Sequence, residues 1–249
     1  MKQTALFLLL TTLLVLPTGL SGMGGQPEEL VSIEDVDPSI LVEARYFGSH
    51  NFVGRPIRGY EAPKCLLTRA AANALAEVQK DFLKAGYTLK VYDCFRPQRA
   101  VDHFVEWARD PKDQKMKAEF YPKEKKEELF QNGYIASRSG HSRGSTLDLT
   151  LVKLPAKANA IYSAGQKLVD CTSAQRFEDN SIDMGTGYDC FHPLSHTDNP
   201  GISVLARKNR DRLRSRMQAH GFQNYSKEWW HFTLKNEPFP NTYMDRLVK

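Results

Sequence analysis

The sequence contains no Cys-x-x-Cys pair, no internal repeat and no low-complexity linker, and after its first twenty residues no apolar run approaches membrane-spanning length. The nearest two of its four cysteines lie 19 residues apart, which argues against a zinc ribbon built from closely spaced thiolates. The other absences argue against a solenoid, a string of linked modules and, beyond the N-terminus, a membrane-spanning helix. Charge of one sign is also scarce: a formal net charge of +5 at pH 7 is mild and names no partner. What is present is ordinary globular composition, with 249 residues, 41% hydrophobic, 25% charged and 10% aromatic. That excludes a disordered tail protein, a collagen or a coiled coil. Such a length buries a full core without cross-links.

The N-terminus reads as an address rather than as structure. Lys2 precedes the apolar run Ala5-Leu-Phe-Leu-Leu-Leu-Thr-Thr-Leu-Leu-Val-Leu16, then Pro17 and the small-residue stretch Thr18-Gly-Leu-Ser-Gly22. A charged start, an apolar stretch of about a dozen residues and a small-residue zone form an export signal, too short for a spanning helix. The expectation is a signal peptide over residues 1–22, a mature domain over 23–249 and a periplasmic or cell-envelope location. Export gives the cysteines a context, because an even number in an oxidising compartment usually means disulfides. Cys65 with Cys94 and Cys171 with Cys190 are the most local of three possible pairings, and sequence leaves the choice open.

The periodicities predict a single α+β domain with a central, mainly antiparallel sheet flanked by helices. Strands are expected over Ile40–Tyr46, Tyr87–Asp93 and Ser145–Val152, the last a period-two strand with Leu147, Leu149 and Leu151 on one face and Thr146, Asp148 and Thr150 on the other. Helices are expected over Leu66–Ala85 before Gly86, Gln98–Arg109 after Pro97, and Ile202–His220 before Gly221. Lys112–Gln131 reads as a charged, solvated helical excursion. Residues 155–181 read as an insertion tied down by Cys171 and Cys190. The run Arg207-Lys-Asn-Arg-Asp-Arg-Leu-Arg-Ser-Arg216 reads as the wet face of an amphipathic helix rather than a nucleic-acid site.

Three segments place His, Asp, Glu and Arg where a packed core would not choose them: Ser139-Gly-His-Ser-Arg-Gly-Ser-Thr-Leu-Asp148, Glu228-Trp-Trp-His231 and Asp93-Cys-Phe-Arg-Pro97. His141 on a glycine turn and Asp148 on the polar face of the next strand can converge. Glu228 and His231, three apart, share a side only if the chain turns there. Two imidazoles and one carboxylate suit zinc with an open fourth position. A further carboxylate, Glu228, then suits proton transfer, and Arg96 suits the charge that develops on an attacked carbonyl. Alone, each fragment has a bland reading: a structural histidine, a turn aspartate, a core tryptophan pair. Their joint occurrence favours chemistry.

The motif Ser-x-His-x-x-Gly-x-x-x-Asp, followed by Glu-x-x-His, resembles the zinc D,D-peptidases related to the hedgehog zinc domain. The chain is most similar to the D-alanyl-D-alanine dipeptidases, including those of vancomycin resistance. The likeness extends to Arg45-Tyr-Phe-Gly-Ser-His-Asn-Phe52, Cys94-Phe-Arg-Pro97, Asp183-Met-Gly-Thr-Gly-Tyr-Asp-Cys-Phe191 and Tyr225-Ser-Lys-Glu-Trp-Trp-His231. It runs from about residue 35 to the end, in the same order. The resemblance implies a hedgehog/D,D-peptidase-like fold, one Zn2+ held by His141, Asp148 and His231, Glu228 as base and acid, and Arg96 on the tetrahedral intermediate. It also implies Asp189 as anchor for the substrate's ammonium, with Ser139 a weaker candidate that either holds the substrate's carboxylate or simply shapes the turn, and Tyr46 and Asn51 as pocket lining.

The expected reaction is hydrolysis of the small dipeptide D-Ala-D-Ala to D-alanine, without nucleic acid and without stable membrane insertion after signal cleavage. Two other readings stay open: a D,D-carboxypeptidase or endopeptidase on peptidoglycan stems, and a zinc-stabilised, non-catalytic wall-binding module. Glu228 and Arg96 argue against the second, since a purely structural zinc needs neither. The chain departs from the family in its export signal, its four cysteines and a longer connection over 155–182, just before Asp189.

Overall fold

The computed structural model describes residues 30–249; the expected signal peptide lies outside them. The elements follow in chain order as β1 (Val31–Ser32), α1 (Ile33–Val36), β2 (Leu41–Val42), β3 (Leu66–Leu67), α2 (Arg69–Lys84) and β4 (Tyr87–Asp93). After them come α3 (Gln98–Arg109), α4 (Lys117–Phe120), β5 (Thr146–Lys153), α5 (Val204–Ala219), β6 (Phe222–Asn224) and β7 (His231–Leu234). Five strands form the main sheet in the order β2-β4-β5-β7-β6, with β2 parallel to β4 and every other neighbour antiparallel. β1 and β3 make a separate two-stranded ribbon. The α+β class and mainly antiparallel sheet are as the sequence predicts.

The leucine alternation of β5 sets the core. Leu147, Leu149 and Leu151 pack with Leu75, Val78 and Phe82 of α2 and Leu213 and Met217 of α5 in one apolar cluster. In α2 the buried positions recur at helical spacing, Thr68 caps the start by accepting from the Ala71 N–H, and Gly86 at φ +79° ends it. The other face of β5 is buried too, so its threonines and aspartate face an interior rather than water. Beside that face, a second cluster built on Tyr46, Phe52, Phe104, Trp107 and Phe191 packs α3 into the molecule. α3 spans the residues expected of it, because Pro97 presets the first turn.

Four expectations need correction. The strand expected over 40–46 is regular only at Leu41–Val42; Glu43 and Arg45 still donate to the Val91 and Tyr92 carbonyls, but regular pairing with β4 ends at Val42–Val91, where β4 begins to shift its register against β5. Leu66 and Leu67 pair with β1 instead of opening α2, since Thr68 sets the helix start. Residues 112–131 hold only α4 and one 3-10 turn, because Pro122 stops the chain and Lys126 turns inward. The Lys126 ammonium is buried, donating to the Asp110 and Asp113 carbonyls over the Trp107 ring. On α5, Arg207, Arg214 and Arg216 do lie on the wet side, paired with Asp198 and Asp81. Arg210, however, is buried, its guanidinium donating to the Met184, Leu194 and His196 carbonyls.

Segment 155–181 has no helix or strand. Disulfides join Cys65 to Cys94 and Cys171 to Cys190, the two local pairings. Among the described residues no helix is long and apolar enough to cross a membrane.

Candidate metal centre and active site

The site grows from the register of the sheet. Asp93 of β4 lies opposite Asp148 of β5, and Asp148 lies opposite His231 of β7. The register shift in β4 just before Asp93 makes this alignment possible, a use of irregularity common beside functional sites. His141 arrives from the 3-10 turn Gly140–Arg143, which Ser139 caps by accepting from the His141 N–H. Gly144 ends the turn at φ +81°, a left-handed conformation that favours glycine.

His141 Nε2, His231 Nδ1 and Asp148 Oδ1 converge, with separations of 3.2, 3.1 and 3.3 Å. Donor atoms about 2.0–2.1 Å from a tetrahedral zinc lie about 3.3 Å from one another, so the triangle already has the size of one face of such a site. The lone pairs are prepared as well. His141 Nδ1–H donates to the Cys94 carbonyl at 2.7 Å, leaving Nε2 free of its proton. Tyr188 donates its phenol hydrogen to Asp148 Oδ2 at 3.0 Å, while Oδ1 is buried without a hydrogen bond. A buried carboxylate oxygen left unpartnered between two imidazoles is what a bound cation satisfies. Among the described residues this is the one trio of His, Cys, Asp and Glu ligand atoms that converges in this way.

Around the trio lies a cavity of about 240 Å3 lined by Arg96, Ser139, Asp189 and Glu228 as well as by the donors. This is below the several hundred Å3 of sites for drug-sized ligands and suits a small molecule. A larger cavity of about 630 Å3 lies behind Tyr188 against segment 153–183 and contains none of these residues.

Glu228 sits on the tight turn before β7, with its Oε2 3.4 Å from His231 Nδ1. The expected turn is present. Burial, reinforced by the Asp148 charge, pushes the Glu228 carboxyl up to about 7. Arg96 lies past the end of β4, its Nε and Nη2 on Asp93 Oδ2 at 2.9 and 2.8 Å and its Nη2 3.7 Å from Asp148 Oδ2. Tyr60 donates to the other oxygen of Asp93 at 2.6 Å. Asp189 is buried at φ +54°, a left-handed conformation unusual for a non-glycine residue, and accepts from the Tyr46 hydroxyl at 2.7 Å. Burial and the charge of Asp148 hold its carboxyl well above the usual range. Against burial, the neighbouring imidazoles hold Asp148 well below it.

All the residues singled out from sequence as donors, base, arginine and anchors therefore line one cavity, and Tyr46 lines it with them. Asn51 does not: its side chain accepts from the Val53 and Gly54 N–H groups and shapes the loop. Sequence reasoning missed Tyr188 and Asp93. Tyr188 was visible only as a residue in the Met-Gly-Thr-Gly-Tyr-Asp motif, and Asp93 only as the strand-end residue that opens the Asp93-Cys-Phe-Arg-Pro97 segment, with no role of its own.

Three convergent side chains able to hold a metal ion, a buried carboxyl and an arginine around a small cavity fit the class of metallohydrolases. Comparison with known proteins is specific. The family described as D-ala-D-ala dipeptidase, peptidase family M15, matches residues 26–159 and 154–249. A D-alanyl-D-alanine dipeptidase of Streptomyces coelicolor is 39% identical over 213 residues, covering 86% of this chain and 95% of that protein. One of Enterococcus faecium is 36% identical over 87% of this chain and 96% of its own length, and one of Escherichia coli 30% identical over 83% and 84%. The chain belongs to the D-Ala-D-Ala dipeptidase family of metallopeptidases.

Proposed function

We propose that this protein is a zinc-dependent hydrolase of the free dipeptide D-alanyl-D-alanine, with His141, Asp148 and His231 as its metal donors. The observation that carries the reading is the convergence of those three donor atoms in the cavity that also holds Glu228, Arg96 and Asp189. Two imidazoles and one carboxylate favour zinc over harder or softer ions. Zinc held there supplies a Lewis acid that makes water acidic near neutral pH and polarises the scissile carbonyl.

The chain's own residues do the rest. Glu228, with its carboxyl near neutrality, takes a proton from the attacking water and passes it to the leaving amine. Arg96, fixed on Asp93, faces the negative charge that develops on the attacked carbonyl oxygen. Asp189 pairs with the substrate's ammonium: its carboxyl is costly to ionise alone in this buried place, and a cation alongside favours the ionised form. Ser139 acts as the cap of the His141 turn. The small cavity and the buried Asp189 favour a dipeptide with a free N-terminus over longer stem peptides. The apolar N-terminal run and the two disulfides support export to the periplasm or cell envelope.

The test is D-alanine release from D-Ala-D-Ala by the purified protein, before and after chelation and after zinc restoration, beside N-acetyl-D-Ala-D-Ala. Metal-dependent release from the free dipeptide alone is expected. Equal cleavage of the blocked peptide moves the function to wall processing, and cleavage of neither overturns the enzymatic reading.

A further inference from the structure

We infer that Arg138 recognises the substrate's terminal carboxylate and that, with Asp189 at the other end, it makes the cavity a gauge for an unblocked dipeptide. The inference rests on the dipeptidase reading above. A dipeptide is a zwitterion, and a small cavity that selects it has to meet both ends. Three carboxyls line the cavity, from Asp148, Asp189 and Glu228, and two guanidinium groups, from Arg96 and Arg138. Arg96 is already engaged by Asp93 through two nitrogens.

Arg138 is different. Among the described residues it makes no ion pair and no side-chain hydrogen bond, and its guanidinium carbon lies 5.1 Å from the centre of the Tyr243 ring. Arg143 lies 5.8 Å from the same ring centre, yet it is locked to Glu237 by contacts of 2.8 to 2.9 Å. Of two arginines on one tyrosine, the one without a carboxylate lines the cavity. An aromatic ring beneath a guanidinium leaves its in-plane N–H donors available, and their fork matches a carboxylate.

The backbone on either side of Arg138 is fixed. The Ser137 carbonyl accepts from Gln98 Nε2 at 3.0 Å, and the Ser139 side chain caps the turn that presents His141. The arginine is thus carried by the same short segment as a metal donor. Arg138 and Asp189 thus bring a cation and an anion to one cavity from two different segments of the chain.

The experiment compares D-Ala-D-Ala with its C-terminal amide on the zinc-loaded wild type, Arg138→Ala and Arg138→Lys. Losing a charge-assisted pair of hydrogen bonds lowers kcat/KM on the free acid by about 10- to 100-fold, mainly through KM. The same variant should leave the amide almost unaffected, so that preference for the acid disappears, and Arg138→Lys should restore part of it. Equal losses on acid and amide, or no loss on the acid, overturn the inference while leaving the dipeptidase reading intact. Calorimetric binding of both ligands to zinc-loaded Glu228→Gln separates the two ideas. Binding that favours the acid only when Arg138 is present supports the gauge, and no binding of either ligand overturns both.

Discussion

Three carboxyls within one small cavity are held in three different states by what touches them. Asp148 is kept ionised by two imidazoles, Asp189 is raised by burial, and Glu228 is poised near neutrality. Replacing Glu228 with Gln should leave the metal bound and lower kcat by about 10²- to 10⁴-fold; metal content and turnover measured on one sample check this, and substantial residual turnover refutes the role. A pH effect on stability follows in the metal-free protein. The Glu228 carboxyl rises from its ordinary 4.5 to about 7 on folding, so the native state holds that proton more tightly than the unfolded chain. Its contribution to stability is fully present below about pH 4 and is lost as pH rises through about 7. Thermal melts of the chelated protein between about pH 5 and about pH 8 should therefore move in favour of Glu228→Gln relative to wild type; a difference independent of pH contradicts it. Tyr188 stands one step back from the proposed metal site, donating to Asp148 Oδ2 while Oδ1 is left without a hydrogen bond. Tyr188→Phe keeps the stacking on Tyr92 and should weaken metal binding by about 10- to 100-fold in competition with a chelator. Unchanged affinity would show that the phenol positions nothing.

At the scale of elements, the loop carrying Asp189 is tied to segment 155–181 by Cys171–Cys190 and packed down by Arg210. Removing that disulfide with paired Cys→Ala changes opens a loop of 19 residues and should cost about 3 kcal/mol of stability. Because Cys190 adjoins Asp189, KM for the free dipeptide should rise while metal affinity holds; denaturant titration and kinetics check the two halves separately. Elements whose signals are local were legible in the sequence. The leucines of β5 alternate, Pro97 opens α3 and Gly86 closes α2, and each signal sits inside its own element. The donor set was legible for the same reason: His141 and Asp148 are seven residues apart across one turn, and Glu228 and His231 are joined by another. What sequence hid depends on partners far along the chain. Leu66 and Leu67 leave the helix because β1 is there to pair with them. Lys126 and Arg210 look like surface charges until backbone carbonyls from other segments enclose them. Tyr188 meets Asp148 across 40 residues, and no spacing rule announces such a contact.

For the molecule as a whole, the three proposed metal donors come from a turn and from two neighbouring strands, so a bound ion would join segments up to 90 residues apart in the chain. Any ligand that binds only the native state stabilises it by about 2.7 kcal/mol at a hundred times its Kd. Thermal melts at increasing free zinc should therefore climb, and His231→Ala should abolish the climb; a flat response would mean that the trio holds no ion. The direct pairing of Asp148 with His231 has another consequence. A slip of β7 by one residue would set Phe232 against Asp148 and turn the imidazole to the opposite side of the sheet. A misthreaded chain then has no place for the ion, however compact it is. At free zinc far above the Kd, metal stoichiometry thus counts correctly threaded molecules, and a preparation that still saturates at half an equivalent is half misassembled.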